Sequence, residues 1–446
     1  MENKYTSIFW NLANAYRGIM MPETLTPAVI RLVFIKYVTD NYLFAESRDE
    51  MVHYADMQKC IASRDVNGFL NSVMPILEMI DKKVGTDGIL VNSYSSYSND
   101  LVGGFYKKKT FSSETSERII AVLSDSDFSE QEEECGSVFE ALKDYVYSSM
   151  IRSGRYGAEN ITNTSVSKLV NRLLDVQETD SYMDFACGYG LSSLEIAGEK
   201  SKQLLLSDIN DECVQITTML LIIQGDSIKK ASITCQNVFD SNDAIQKATK
   251  AFVDFPLACR IDRNKYLYSD GVILAAHKLI DSLQEGGRAI ITTAASLLFR
   301  TNKETKDFRK YLLDNSLLEA VITLPPVIPG STVNVSLLVL SKNNNKSILL
   351  MDTSSNTAFQ FSNNARTFNT ELIDSGIEKI AEVFTKKEEI SGISKIVEMT
   401  EIMEKNTLVP MAYITAPKVG TQISSEEIRN KLDDLYKKLY EFNKLS

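Results

Sequence analysis

Residues 183–190, with the sequence MDFACGYG, decide the fold. Apolar residues precede Asp184, and Gly188 and Gly190 precede the helix-forming stretch LSSLEIAG. A strand that ends in an acid and turns through glycines into a helix lets the backbone turn tightly and a nucleotide-like ligand approach closely. The stretch therefore predicts the first strand, turn and helix of a doubly wound α/β domain.

A second acid follows at the end of the next predicted strand. That strand, KQLLLSDI, ends near Asp208. A carboxylate in this position can accept hydrogen bonds from both ribose hydroxyls of an adenosine-containing cofactor. The turn lacks the lysine of the phosphate-binding pattern GxxxxGK[ST], which disfavours nucleoside triphosphates. S-adenosylmethionine is the better candidate ligand, and the same turn in another kind of doubly wound domain is the alternative.

From residue 160 onward, short apolar stretches alternate with longer helical ones. Three helical stretches, SVSKLVNRLLD, DECVQITTMLLIIQG and GVILAAHKLIDSL, lie among the predicted strands. Alternation of this kind predicts a largely parallel sheet. We expect a Rossmann-like doubly wound α/β domain over residues 151–350. Seven stretches are predicted strands: SYMDFAC, KQLLLSDI, ASITCQNVF, KAFVDFP, GRAIITTA, LEAVITLP and VNVSLLVLSK.

The segments on either side of this domain have helical patterns. Residues 1–150 carry apolar residues at three- and four-residue spacing, and Thr26-Pro27 is a good N-cap and first-turn pair for a helix that is apolar nearly all round. The C-terminal stretch SSEEIRNKLDDLYKKLYEFNKLS has a narrow apolar stripe surrounded by charge. The sequence predicts an N-terminal all-α bundle over 1–150 and a C-terminal helical extension over 351–446, with a partner-docking helix at 424–446.

Composition restricts the class of protein. The 446 residues include 48 Lys and Arg against 59 Asp and Glu, a formal net charge of −11, and residues 1–150 hold 14 basic against 22 acidic residues. This balance disfavours DNA binding by charge alone. Six cysteines without a CxxC pair and only two histidines disfavour a metal site. With no apolar run near the roughly 20 residues of a membrane span and no signal-peptide pattern, we expect a cytoplasmic protein.

The order of the segments resembles the modification subunits of type I restriction systems, the HsdM-like adenine-specific DNA methyltransferases. The similarity runs over nearly the whole chain. It is strongest in EGGRAIITTAASLLFR and FRKYLLDNSLLEAVITLPPVIPGSTVNVSLLVLSK, which are similar to the family's GGRAAIVLP…LFR…IRKxLLE…LEAVIxLP…T…ILVLxK. The resemblance implies methyl transfer from S-adenosylmethionine to the amino nitrogen of adenine in DNA, within a host-defence complex.

Partners follow from the same resemblance. The chain beyond the predicted sheet contains no evident target-recognition module, so a separate specificity subunit would choose the DNA sequence. DNA itself, a nuclease or translocase subunit and a second copy of this chain are the other partners that the resemblance implies. No membrane partner is expected.

The resemblance also assigns site residues. DFACGYG stands where the family has DPxCGSG, and ENITNTSVSKLV resembles the family's cofactor-gating segment. The catalytic loop, [Asn/Asp]-Pro-Pro-[Tyr/Phe] in the family, is Asp254-Phe255-Pro256-Leu257 here. An acid at its first position can accept a hydrogen bond from the adenine amino group of a flipped base. Cofactor contacts are implied for Thr162, Asp184, Ala186, Gly188, Gly190, Asp208 and Asn237.

Departures from the family pattern leave two functions open. Ile161 and Asn163 stand where the family has an aromatic residue and a proline, and Asn237 replaces an acid. In the catalytic loop, Phe255 replaces a proline, and Leu257 cannot stack on a base as an aromatic ring does. One hypothesis is an active DNA adenine methyltransferase. The other is a catalytically inactive, methyltransferase-like scaffold that binds DNA or partner subunits, and Phe255 and Leu257 separate the two.

Overall fold

The computed structural model describes most of the chain up to residue 414. The predicted docking helix at 424–446 lies outside the described residues. These residues are 4–18, 20, 22–95, 113–129, 137–152, 161–240, 246–257, 259–328, 331–354, 359, 361–364 and 369–414.

Helices make up the described N-terminal part, and α2 lies at its centre. Every residue from 26 to 39 is buried, which confirms the expectation from its apolar sequence. The predicted start at Thr26-Pro27 is wrong, because α2 begins at Pro22 and contains Pro27. A proline this early removes a single backbone hydrogen bond, which the helix tolerates. The helices are α1 (Lys4–Ala15), α2 (Pro22–Asp40), α3 (Arg48–Ala62), α4 (Val66–Val84), α5 (Ile89–Ser95), α6 (Ser113–Ser124) and α7 (Val138–Arg152).

A nine-stranded sheet forms the second part of the chain. Its order is β11-β8-β6-β7-β5-β4-β1-β2-β3. β3, β2, β1, β4 and β5 run parallel to one another, whereas β7 is antiparallel to both β5 and β6. All seven predicted strands are present. The strands are β1 (Ser181–Asp184), β2 (Gln203–Asp208), β3 (Ala231–Cys235), β4 (Ala248–Val253), β5 (Leu283–Ala294), β6 (Leu318–Leu324), β7 (Val335–Ser341), β8 (Ser347–Asp352), β9 (Phe361–Asn364), β10 (Asn369–Leu372) and β11 (Ser394–Glu398).

Helices follow the parallel strands β1, β2, β4 and β5. Every residue of β6 and β7 is buried, as expected for strands covered on both faces. The architecture confirms the Rossmann-like doubly wound fold. The helices are α8 (Thr164–Leu174), α9 (Leu191–Ser193), which continues as a π-helix (Leu194–Gly198), α10 (Asp211–Gln224), α11 (Gly271–Ser282), α12 (Ser296–Phe299), α13 (Lys303–Asp314), α14 (Asp374–Lys386) and α15 (Met399–Lys405), with 3-10 turns at Asp226–Lys230 and Pro410–Ala412.

The segment after residue 350 contributes to the same sheet. β8 pairs with β6, and β11 pairs with β8 at the sheet edge. The predicted boundary at residue 350 therefore falls inside β8, and the C-terminal extension includes an edge strand that its sequence did not indicate. β9 and β10 form a separate two-stranded hairpin. None of the helices in the described part of the chain is both long enough and apolar enough to cross a membrane.

A buried arginine joins the N-terminal helices to the α/β part. Arg31 of α2 is 4% exposed. Its guanidinium donates to Oγ of Ser93 at 2.9 Å, to Oε1 of Gln215 at 3.2 Å and to Oε1 of Glu212 at 3.3 Å. Gln215 and Glu212 belong to α10, and the same helix packs against the glycine turn after β1 through Thr217. Hydrogen bonds from one side chain therefore fix α2 against the helix that supports the site.

Replacing Arg31 with alanine should destabilise the protein, because buried acceptors on α5 and α10 would lose their donor. We expect a loss of about 1–3 kcal/mol in the free energy of unfolding, measured by urea denaturation. Arg64→Ala is the matched control, since the Arg64–Asp125 ion pair is 55% and 72% exposed and should contribute little. Equal effects of the two substitutions would contradict the assigned role of Arg31.

Candidate cofactor and substrate site

The glycine turn after β1 has the geometry that the sequence predicts. Gly188 and Gly190 have φ angles of 54° and 75°, in the left-handed region that glycine adopts without strain. Gly190 also packs against α10, where an added Cβ would lie 2.7 Å from Cγ2 of Thr217. The Thr217 hydroxyl donates to the Gly188 carbonyl at 2.9 Å. The turn thus needs glycine at position 190 for its backbone angle and for the space beside α10.

Asp208, the last residue of β2, hydrogen-bonds the backbone of the glycine turn. Its Oδ2 accepts the backbone N–H of Gly188 at 2.9 Å, and its Oδ1 accepts that of Asn210 at 2.9 Å. A carboxylate has about four acceptor positions, so ribose hydroxyls can still be accepted. The next residue, Ile209, is 70% exposed. Ile209 has no role in the sequence-based predictions, although an exposed apolar side chain directly after a strand acid offers a surface for a planar ligand.

Asp184 at the end of β1 is buried beneath the turn. Its carboxylate accepts the Ala186 N–H at 3.1 Å and the Ser193 hydroxyl at 2.8 Å. The pKa of Asp184 is raised to about 7: burial is the largest cause, the two hydrogen bonds oppose it, and the charges of Asp208 and Asp254 add to the rise. Asp184 therefore stabilises the conformation of the turn from the protein interior. Ala186 takes part through its backbone N–H, which donates to Asp184.

Asn237 follows β3 and lies in a polar loop network. Its Nδ2 donates to Oδ2 of Asp240 at 2.9 Å and to the Tyr266 hydroxyl at 3.1 Å, and its Oδ1 accepts the Phe239 N–H at 3.1 Å. These contacts fix the described residues 237–240 that follow β3. A contact of Asn237 with a cofactor stays a prediction.

Asp254 follows β4, the strand next to β1. Its Oδ1 accepts a hydrogen bond from the Thr292 hydroxyl of β5. Burial raises the pKa of Asp254, and hydrogen bonds from Thr292 and Thr162 oppose the rise. Thr162, predicted as a cofactor contact, thus lies against the acid of the catalytic loop. Its residue type carried no signal for that long-range pairing.

The whole catalytic loop lines a cavity of about 980 Å³. Thr162 and Thr292 lie in the same wall. Among the described residues, neither the glycine turn nor Asp208 belongs to this lining, so the cavity and the predicted cofactor contacts of the turn are neighbouring parts of one edge of the sheet. Leu257 is half-buried in the wall of the cavity.

Phe255 has a packing role in the loop. Its ring lies against the ring of Phe239, with centroids 5.7 Å apart. It also covers Gly271 at the start of α11, where an added Cβ would lie 2.8 Å from Cε1 of Phe255. The aromatic side chain that replaces the family's proline is therefore accommodated by a glycine on the facing helix.

Asn163, which stands where the family has a proline, ties its segment to two distant loops. Its Nδ2 donates to the carbonyls of Val327 at 2.8 Å and Thr370 at 3.1 Å. Its Oδ1 accepts the Ser165 N–H at 2.9 Å and so caps α8. These hydrogen bonds hold the neighbouring Thr162 beside the cavity in place of a rigid proline.

Sheet order, glycine turn and strand acids define a Rossmann-like methyltransferase fold. A solved methyltransferase subunit of a type I restriction-modification system from Streptococcus thermophilus has the same fold, with a TM-score of 0.73 at 16% identity over 92% of this chain and 99% of that one. A chain from a structural study of complex assembly in the type I R-M system matches with a TM-score of 0.68 at 14% identity over 100% and 98%.

Sequence comparisons agree with the fold. The family model described as N-6 DNA Methylase matches residues 274–420. The type I restriction enzyme MpnII methylase subunit of Mycoplasma pneumoniae is 25% identical over 64% of this chain, and the match spans 58% of that relative's length. The MjaVIII methylase subunit of Methanocaldococcus jannaschii is 22% identical over 93% of this chain and 79% of its own length. These findings confirm that the chain is HsdM-like, resembling the modification subunits of type I restriction systems.

Gly190→Ala should destabilise the protein more than Gly85→Ala does. Gly85 has nearly the same φ, 76°, but an added Cβ there meets nothing within 4 Å. Both variants carry the cost of a left-handed alanine, about 1–2 kcal/mol, and only Gly190→Ala adds the clash with Thr217. Urea denaturation measures the difference, and equal losses would mean that α10 does not restrict the turn.

Asp184→Asn should change how stability depends on pH. The folded-state pKa of Asp184, about 7, exceeds the unfolded value near 4. Its contribution to stability is therefore full below pH 4 and lost as the pH rises through 7. The free energy of unfolding of the wild type should fall relative to that of the variant by up to about 4 kcal/mol between pH 4 and 8.

Denaturation curves at several pH values test this difference. Asp314→Asn removes an exposed acid at the end of α13 and is the control, whose stability should run parallel to that of the wild type. A wild-type curve parallel to that of Asp184→Asn would show that Asp184 titrates normally.

Proposed function

We propose that the chain is the methylase subunit of a type I restriction-modification complex and transfers the methyl group of S-adenosylmethionine to the amino nitrogen of adenine in DNA. The observation that carries this proposal is the half-buried Asp254, held by Thr292 and Thr162 in the wall of a cavity beside the glycine turn. The sequence relatives are named as methylase subunits of type I restriction enzymes.

The residues at the glycine turn fit S-adenosylmethionine. Gly188 and Gly190 keep the backbone free of side chains, Asp208 has acceptor positions for ribose hydroxyls, and Ile209 offers an exposed apolar surface for the adenine. Asp184 and Asp208 also make the site electrically suited to a cation. Bound S-adenosylmethionine would supply a methyl group activated by its positive sulfonium.

Asp254 positions the nucleophile. Its carboxylate accepts a hydrogen bond from the adenine amino group, so that the nitrogen lone pair is directed at the methyl carbon. With S-adenosylmethionine bound, the N–C bond would form as the S–C bond breaks, and the electron pair of that bond would stay on sulfur. Thr292 and Thr162 fix the orientation of the carboxylate, and burial keeps its pKa raised, which makes it a better acceptor for the proton that the amine then loses.

DNA and partner subunits belong to this proposal. Arg260 and Arg300 are exposed and border the cavity, where they can meet phosphates on either side of a flipped base. The chain as a whole is acidic, so a specificity subunit would supply both sequence recognition and most of the positive surface. The similarity of this fold to that of a chain from a study of complex assembly in the type I R-M system supports such an assembly. A nuclease subunit and a second copy of the chain are further proposed partners.

The altered catalytic loop supports a second candidate function, a scaffold that binds its partners and transfers nothing. Leu257 offers no aromatic face to a base, a loss worth about 1–3 kcal/mol. Phe255 is engaged by Phe239 and Gly271 and leaves no fixed proline angle in the loop. The two functions differ in one measurable step, the transfer of methyl to DNA.

Asp254→Ala should abolish methyl transfer. The full chain, co-expressed with its specificity subunit, is assayed with tritiated S-adenosylmethionine and mixed-sequence DNA. Removing the positioned acceptor should lower the rate at least about 100-fold. Asp314→Asn is the control and should retain the wild-type rate.

A wild-type complex that binds S-adenosylmethionine yet transfers no methyl group would reject the enzyme in favour of the scaffold. Restoring the family pattern with Phe255→Pro and Leu257→Phe together is the second arm. Transfer that appears only in this double variant would place the defect in the loop and identify the natural chain as a scaffold.

A further inference from the structure

The cavity beside Asp254 contains an aromatic ring that the family's loop pattern does not assign. Two aromatic side chains occur among the described lining residues, Phe255 and Phe299. A flipped adenine needs a flat apolar surface against one face, because stacking replaces the contacts it loses in the duplex. Since Leu257 cannot supply that surface, the aromatic residues of the cavity are the ones to compare.

The ring of Phe255 is already packed against other protein side chains and the backbone of α11. Its ring packs on Phe239 and lies so close to Gly271 that even a methyl group there would clash with it. Turning this ring toward a base would open a gap against α11. Phe255 is therefore part of the packing that holds the loop, and it is poorly placed to stack on a ligand.

Phe299 is in the opposite situation. It ends α12 and is 52% exposed, although its neighbours Leu297 and Leu298 are buried. An exposed phenyl ring at the wall of a cavity keeps apolar surface in water that a planar ligand could cover. The ring is thus available for contact.

The segment that carries Phe299 is firmly held. The buried Arg309 of α13 donates to the carbonyl of Leu297 at 3.0 Å and to that of Arg300 at 2.9 Å. The Leu408 N–H donates to the Leu298 carbonyl at 2.9 Å. Phe299 is therefore presented from a fixed backbone, which lowers the entropy cost of stacking.

The same strand connects this ring to the catalytic-loop acid. β5 supplies Thr292, whose hydroxyl holds Asp254, and continues after Ala294 into α12, which ends at Phe299. Arg300 follows directly, is exposed and borders the cavity. One segment thus provides an anchor for the acid, a free aromatic ring and a cation for phosphate.

We propose that Phe299 stacks on the flipped adenine in place of the aromatic residue missing at position 257. This role rests on the proposed function, because it specifies how the same cavity holds its base. Phe299 is a positioning residue: its ring holds the base so that the adenine amino group can donate a hydrogen bond to Asp254. The altered loop then keeps the acid, while the stacking surface comes from the segment after β5.

Two variants separate a stacking ring from mere apolar bulk. Phe299→Tyr keeps the ring, whereas Phe299→Leu keeps apolar volume without it. Met411→Ala is the control, because Met411 is also 52% exposed and lies outside the cavity lining. Binding of 2-aminopurine deoxyriboside to the full chain, followed by the probe's fluorescence, measures base contact without methyl transfer, and the methylation assay of the co-expressed complex measures turnover.

Phe299→Leu should weaken probe binding and raise KM for DNA roughly 10- to 100-fold, while Phe299→Tyr and Met411→Ala stay near the wild type. Probe binding unchanged in Phe299→Leu would overturn the stacking role and leave the proposed methyl transfer standing. A wild-type complex that transfers no methyl group, with probe binding still weakened in Phe299→Leu, would reject the methyltransferase and support Phe299 as the base contact of a scaffold.

Discussion

Three carboxylates at one edge of the sheet are the constraint on which the rest of the site depends. Asp184 and Asp208 end the neighbouring parallel strands β1 and β2, and Asp254 directly follows β4. Backbone N–H groups and hydroxyls hydrogen-bond them. Burial and mutual repulsion raise the pKa of Asp184 to about 7. The fold thus holds negative charge at an edge where a cationic ligand would relieve the repulsion.

The part of this edge that could be predicted from sequence is the part encoded locally. A strand acid, two glycines and a second strand acid can be recognised from residue type and spacing. Their proximity can be predicted because the carboxyl ends of parallel strands meet at one edge of the sheet. The seven strands were predicted for the same reason, since apolar stretches of that length alternate with helical ones. The predicted start of α2 is wrong because a proline is typical of a first helical turn, whereas here the burial of residues 26–39 outweighs one missing hydrogen bond.

Contacts between distant segments could not be predicted. Nothing in the sequence places Thr162 against Asp254, or pairs Phe255 with Gly271 across the loop. β11 was missed because an edge strand needs only β8 as its neighbour and carries a weak apolar pattern. The departures at Asn163 and Phe255 are structurally absorbed in the same way, by hydrogen bonds and packing partners far along the chain.

The uneven charge of the chain fits this picture. The acidic excess lies mainly in residues 1–150, and exposed arginines border the cavity. Calorimetric titration of S-adenosylmethionine into the full chain tests most directly whether the glycine turn and Asp208 at the end of β2 bind this cofactor. We expect saturable one-to-one binding that weakens at least about tenfold in Asp208→Ala, the loss of roughly one charge-assisted hydrogen bond. Absence of binding by the wild type, or equal affinity in the variant, would contradict it.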